Sequence, residues 1–323
     1  MAKNSISNAK AYFEKLIDDD PHKSTGLAAI ETLMEKLANT QATNVQTLTT
    51  ELQKTVDELI STDKSTASIK SAAELFLRFI SLVKTEQLDG ENFDKLMATY
   101  KHRGSQFIRR ISQSKALISK FATPFVQHNA KLLTHSYSKI VLSALLEAKN
   151  RGHVFQVFVT ESAPDFSGRK MHAALTEHGI DSTLVLDGAV GYLMERVDSV
   201  LLGAEAILEN GGIINKVSLY WLFITIDLFR LARLVCASWP KNFNKNIYVF
   251  AESIKFTKEF PINQRDIHES FKYRTSTLKN TDSLKYEHPL IDYTPPAYIT
   301  LIISDLGILP PAKICDELLN LYS

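Results

Sequence analysis

Val154-Phe-Gln-Val-Phe-Val-Thr-Glu-Ser-Ala-Pro-Asp-Phe-Ser-Gly-Arg-Lys170 decides the fold. An unbroken apolar run gives way to a polar loop holding proline and glycine, and a helix-compatible stretch follows over 168–178. Continuous rather than alternating hydrophobicity predicts a strand buried on both faces, as in a parallel sheet covered by helices. The same texture recurs at 182–186, 199–202, 247–250 and 298–303. Helices predicted at about 138–149 and 311–321 join the one at 168–178 as covers. The pattern predicts a Rossmann-like, doubly wound α/β domain with a mostly parallel sheet.

Toward the N-terminus the period changes. Leu27, Ile30, Leu33, Met34 and Leu37 repeat at helical spacing behind the candidate caps Ser24 and Thr25. Leu48, Leu52, Val56 and Leu59 form a second stripe. Ala73-Glu-Leu-Phe-Leu-Arg-Phe-Ile-Ser-Leu82 is apolar on nearly all sides, which predicts the buried centre of a helical domain. Proline disfavours helix at the residue before it, so Thr123-Pro124 is the expected boundary. The expected domains are a helical one over 1–123 and the α/β one over 124–323.

Composition excludes several classes. A chain of 323 residues, 45% hydrophobic, can bury a large core, and its net charge of +1 supplies no field for DNA or an anionic membrane. Cys236 and Cys315 make no disulfide framework and no spacing typical of metal ligands. The first residues, Met-Ala-Lys-Asn-Ser-Ile-Ser-Asn, hold no apolar core of a secretory signal. The most apolar stretch, 219–229, is too short to span a bilayer and contains Asp227. A cytoplasmic protein is expected.

Several loops after strand-like runs have the makings of an anion site. Ser167-Gly-Arg-Lys170 sets a glycine and two cations at a helix start, where backbone N–H groups point outward. Asn210-Gly-Gly-Ile-Ile-Asn-Lys216 is a second glycine turn with a lysine. Neither matches the dinucleotide fingerprint or the P-loop. Glu161, Asp187, Glu205 and Glu252 fall at or beyond strand ends, where capping and loop hydrogen bonds are at least as common as catalysis. His135 and Ser136 are neighbours, but adjacent strand residues point to opposite faces, a poor arrangement for a base and its nucleophile. His288 reads as a loop residue.

Weak one at a time, these segments are specific in order. Residues 73–82, Phe107-Ile-Arg-Arg-Ile-Ser112, Leu133-Thr-His-Ser-Tyr-Ser138, Gly203-Ala-Glu205, Glu209-Asn-Gly-Gly-Ile-Ile-Asn-Lys216 and Ser304-Asp-Leu-Gly307 carry a likeness over nearly the whole length. The chain resembles the alpha/beta/delta subunit family of eukaryotic translation initiation factor 2B, its alpha members above all. The resemblance implies a non-catalytic regulatory subunit of the guanine nucleotide exchange factor for initiation factor 2. It implies a homodimer joined to the beta, delta, gamma and epsilon subunits, and a helical domain that helps sense the phosphorylated alpha subunit of initiation factor 2 under stress.

The same resemblance reaches the ribose-1,5-bisphosphate and methylthioribose-1-phosphate isomerases, whose acid–base pair is a cysteine and an aspartate. Ser136 stands at the cysteine position and Glu205 at the aspartate position, and Glu161-Ser-Ala-Pro164 lacks the isomerases' arginine. Serine offers no thiolate near neutral pH, so catalysis is not expected. No cofactor is implied. A sugar-phosphate or nucleotide ligand is, with Lys170, Glu205, Asn210, Asn215 and Lys216 as its expected contacts. The alternative is a sugar-phosphate sensor or isomerase relic acting outside the complex.

After Asn215-Lys216 the chain departs from the family pattern at Val217-Ser218, and the segment before Ile247 is longer by about four turns of helix. It is either a lineage insertion or a gene-model error, since Val-Ser can be written GTAAGT, the sequence of a common intron start. Transcript reads that cross 217–229 without a junction decide for the insertion; spliced reads decide against it.

Overall fold

Ala28, Ala29, Ile30, Leu33 and Leu37 form the buried side of α2 (Thr25–Asn39), with Leu27 of the predicted stripe half-buried at its edge. Ser24 caps that helix, its Oγ accepting the Leu27 N–H at 3.3 Å and satisfying a donor that has no partner within the helix. α1 (Ala9–Asp19) inserts Phe13 among Ala28, Ala29, Leu59 and Ile69. α3 (Val45–Ile60) buries Leu48, Leu52, Val56 and Leu59, and is capped by Asn44. α4 (Thr66–Ser81) is buried at Ile69, Ala72, Ala73, Phe76 and Ile80, in line with the apolar stretch that predicted it. α5 (Phe93–Ala122) lies close to this group at Gly104, where an added Cβ would stand 2.1 Å from Met34 Sδ.

The computed structural model describes residues 9–20, 23–62, 64–81, 93–163, 165–216, 245–261, 266 and 291–322. The long segment after Ser218, Cys236 and His288 lie outside them. Two compact units are present, Met1–Gln113 with Leu319–Ser323, and Ser114–Leu318. Thr123-Pro124 falls in a 3-10 turn directly after α5.

The second unit is built on a sheet of seven strands. In chain order they are β1 (Lys131–His135), β2 (Gln156–Thr160), β3 (Asp181–Val185), β4 (Ser199–Gly203), β7 (Asn246–Phe250), β10 (Leu301–Ser304) and β11 (Gly307–Leu309). Their order across the sheet is β11-β10-β7-β4-β1-β2-β3, and every pair is parallel except β10 with β11. The five runs expected as strands are β2, β3, β4, β7 and β10. β1 is an addition, and it lies inside the sheet between β4 and β2, with Leu132 and Leu133 fully buried. α6 (Lys139–Asn150) and α7 (Ser167–Glu177) pack Val141, Leu145, Met171 and Leu175 into the core with Val157, Val159 and Leu201. The short α8 (Val190–Met194) and the terminal α9 (Ile314–Tyr322) complete the described helices.

A second sheet was not expected. β5 (Ala206–Leu208), β6 (Ile213–Lys216), β8 (Phe256–Thr257) and β9 (Ile291–Thr294) stand in the order β8-β5-β6-β9. Sequence pattern reads its central hairpin only as glycine turns, because strands of two to four residues are too short to show a period. β5 and β6 pair antiparallel, and Gly211 turns the chain between them at φ 80°.

One contact sets how α7 seats on the sheet. A Cβ on Gly168 would lie 1.7 Å from the Thr160 carbonyl oxygen, a backbone atom that cannot swing aside. Gly168→Ala is therefore expected to lower stability by about 3 kcal/mol. Gly188→Ala, where a Cβ meets nothing within 4 Å, should stay within about 0.5 kcal/mol of the parent. Urea midpoints at unchanged slope measure both; equal midpoints would show that α7 shifts to accept the methyl.

Candidate ligand crevice

Strand order reverses at β1: β2 and β3 lie on one side, β4 and β7 on the other. Successive connections leave in opposite directions there, so the C-terminal ends of β1 and β4 frame a crevice. On the β1 side the chain turns sharply at Ser136, whose φ is 63°. Ser138 then caps α6, accepting the Val141 N–H on its Oγ at 3.3 Å. On the β4 side Gly203 approaches so closely that a Cβ would meet Ser138 Oγ at 2.5 Å.

Ser136 and Ser167 share a hydrogen bond of 2.7 Å. Ser167 gives its hydroxyl proton to Asp165 Oδ1 at 2.8 Å, so Ser136 is the donor to Ser167. The chain of hydroxyls ends on a carboxylate. His135, next in sequence, faces elsewhere: its ring nitrogens lie 2.6 Å from Thr160 Oγ1 and 3.3 Å from Ser162 Oγ, and the residue is buried. The base and the hydroxyl that sequence sets side by side thus have different neighbours.

The loop after β2 is held from the next strand. Asp187, just beyond β3, accepts the Ser162 N–H at 2.9 Å and the Ala163 N–H at 2.7 Å, one on each carboxylate oxygen. Ser162 and Phe166 both sit in the left-handed region, at φ 60° and 53°. A backbone conformation of that kind persists only where its surroundings determine it. Glu161 pairs with Arg169 at 3.3 Å, and the Arg169 guanidinium lies 4.5 Å over the Phe166 ring. Arg169 is thus occupied on the rim. Lys170 reaches the end of β1, its Nζ 4.8 Å from the Tyr137 ring centroid. Burial holds the Tyr137 phenol above its ordinary pKa, so that ring stays neutral beside the ammonium.

Glu205 and Asn215 meet where the β5–β6 hairpin leaves β4. The Glu205 N–H donates to the Ile214 carbonyl at 2.9 Å, and Asn215 Nδ2 donates to the Gly203 carbonyl at 2.7 Å. Lys170, Glu205 and Asn215 are therefore brought to the two strand ends that frame the crevice. Asn210 is not. It sits at the far turn of the hairpin, donating to the Pro261 carbonyl and Tyr293 Oη and accepting the Gly212 N–H, each at 2.8 Å. Lys216 lies on β6 opposite Ile291, and its side chain is outside the described residues.

Three contributors had no role of their own in the sequence reading, although Ser167 and Asp305 lie in motifs it quoted. Ser167 completes the hydroxyl chain, Lys255 donates to the Ala204 carbonyl at 2.7 Å, and Asp305 receives both the N–H and the hydroxyl of Ser253 at 2.7 Å each. Only the repeated placement of polar residues just after strands could have signalled them. Among the described residues no group of three or more His, Cys, Asp or Glu is arranged to hold a metal, and no helix is long and apolar enough to cross a membrane. Cys315 is partly buried, and burial with the nearby Glu209 carboxylate pushes its thiol above the ordinary range, which leaves it protonated and unreactive near neutral pH.

Residues 18–311 match the initiation factor 2 subunit family. Translation initiation factor eIF2B subunit alpha of Caenorhabditis elegans is 44% identical over 310 residues, which cover 96% of this chain and 97% of that one. Ribose 1,5-bisphosphate isomerase of Archaeoglobus fulgidus is more distant, 27% identical over 261 residues, or 81% of this chain and 77% of the enzyme. In fold, the crystal structure of the Pyrococcus horikoshii translation initiation factor eIF-2B superposes with a TM-score of 0.71 at 21% identity, covering 95% of this chain and 98% of that one. The helical region and the mostly parallel sheet are both spanned by the family match, and the chain belongs to the initiation factor 2 subunit family.

Proposed function

We propose that this chain is a regulatory, non-catalytic subunit of alpha type in eIF2B, the guanine nucleotide exchange factor for initiation factor 2. The observation that carries the proposal is the 44% identity to an eIF2B alpha subunit along almost the full length of both chains. Exchange belongs to another subunit. This one forms a homodimer and joins the beta, delta, gamma and epsilon subunits in the cytoplasm. Its helical unit helps recognise the phosphorylated alpha subunit of initiation factor 2 and lowers exchange under stress. Such a sensor must bind the phosphorylated partner better in one state of the complex than in another, since equal binding shifts nothing.

The crevice chemistry supports a non-catalytic role. An aldose–ketose isomerase moves a proton between neighbouring carbons and needs a base able to take it. The Ser136 hydroxyl is instead a donor to Ser167, and Glu205 carries its carboxylate one methylene further out than aspartate would. Co-purification of the tagged chain from its native cells at moderate salt, with partners identified by mass spectrometry, tests the proposal. The expected result is recovery with the four other eIF2B subunits. Recovery of the chain without them would overturn it.

A ligand role for the crevice is favoured by the presence of Lys170 at the end of β1 and of Glu205 and Asn215 at the end of β4, the two strand ends that frame it. We propose that they hold a sugar phosphate or nucleotide. Saturating ribose 1,5-bisphosphate should raise the thermal midpoint of the isolated chain, since about 100 times the Kd contributes about 2.7 kcal/mol. Lys170→Ala should abolish the rise while leaving the unliganded midpoint unchanged. No rise, or a rise that survives Lys170→Ala, would remove the crevice from consideration.

A further inference from the structure

The chain is nearly neutral, with a net charge of +1, yet its charge is sorted by element. Over the part of α5 that belongs to the helical unit, Lys95, Lys101, Arg103, Arg109 and Arg110 stand against one acid, Asp94. α3 is sorted the other way, with Glu51, Asp57 and Glu58 against Lys54. A solvated helix ordinarily mixes signs and forms acid–base pairs three or four residues apart. No Asp or Glu follows Asp94 in α5.

Three of these five cations, Lys95, Arg109 and Arg110, also share a side, with His102 and Gln106 between them. Lys95, His102, Gln106, Arg109 and Arg110 are all exposed. On a helix of 3.6 residues per turn they fall within an arc of about 100° and a length of about 22 Å. Leu96, Met97, Tyr100, Phe107 and Ile111 take the opposite, buried side. The His102 ring and the Gln106 amide lie 2.9 Å apart on the exposed side, placing hydrogen-bonding groups between the cations.

We propose that this strip of α5 is a docking face for a carboxylate-rich segment of a partner protein. Arg109 and Arg110 present planar forks that match carboxylates in charge and geometry, with Lys95 adding charge about four turns away. Nucleic acid fits less well. The strip exposes no Phe, Tyr or Trp ring for base stacking, and a net charge of +1 draws in no polyanion from a distance. A bilayer fits less well again, because no large apolar residue is exposed on the strip. The inference goes beyond the subunit reading and does not depend on it.

The test places benzoylphenylalanine at Gln106 in the full-length chain, expressed in its native cells, with Gln53 on the exposed side of α3 as the control site. Irradiation of the purified native assembly should crosslink position 106, and not 53, to a peptide of another polypeptide in which Asp and Glu outnumber Lys and Arg. Arg109→Glu with Arg110→Glu should lower the yield about tenfold, as should raised salt. Arg109→Gln with Arg110→Gln should lower it in the same direction and serves if the reversal fails to fold. The proposal is overturned by a crosslink to nucleic acid, by a peptide without an acidic excess, by a yield insensitive to both substitutions, or by no crosslink to another polypeptide. Co-purified eIF2B subunits without such a crosslink would leave the subunit reading standing and remove this one.

Discussion

The interior strand β1, held between β4 and β2, is the constraint on which the α/β unit depends. β1 forms parallel ladders on both sides, five residues of register with β2 and three with β4. A strand so placed has no face or edge left for solvent, and its backbone groups are satisfied only if both neighbours are in register. Because β2 and β4 lie on opposite sides of it, the chain must reverse its direction of winding there. The crevice is the geometric result. The hydroxyl of Ser136, the cap at Ser138 and the approach of Gly203 all follow from how the chain leaves that strand and its neighbour.

The sheet's outline was legible because strands on either side of β1 carry pure apolar runs. Val-Phe-Val at 157–159 and Val-Leu-Leu at 200–202 need no neighbour to be recognised as buried. β1 was less legible because it ends in Thr134 and His135, polar residues buried through their place in the sheet rather than their composition. The second sheet was hidden for a different reason. Its hairpin turns on Gly211 and on the three hydrogen bonds of Asn210, and a turn of that kind reads the same in sequence whether or not it joins strands.

The site divides in the same way. Glycine beside a strand end was a sound signal at Gly168, where backbone meets backbone. Side-chain roles were harder to read, because an amide or carboxylate looks alike whether it faces a ligand or the protein. Asn215 and Asn210 stand five residues apart on one hairpin. One arrives beside the β4 end and the other is consumed at the turn. Asp187 was one of four carboxylates at strand ends, and only the fold shows that its partners are two consecutive N–H groups of the neighbouring loop.

That carboxylate ties the crevice to the margin of the sheet. β3 is an edge strand, paired only with β2, and its side chains are mostly half-buried or exposed. Edge elements of this kind open locally at lower free energy than a central strand. Each time β3 frays at its C-terminal end, Asp187 leaves with it, and the loop bearing Ser162 and Phe166 loses the contact that holds its left-handed residues in place. The order of the crevice is thereby set by the breathing of a strand that contributes none of its lining.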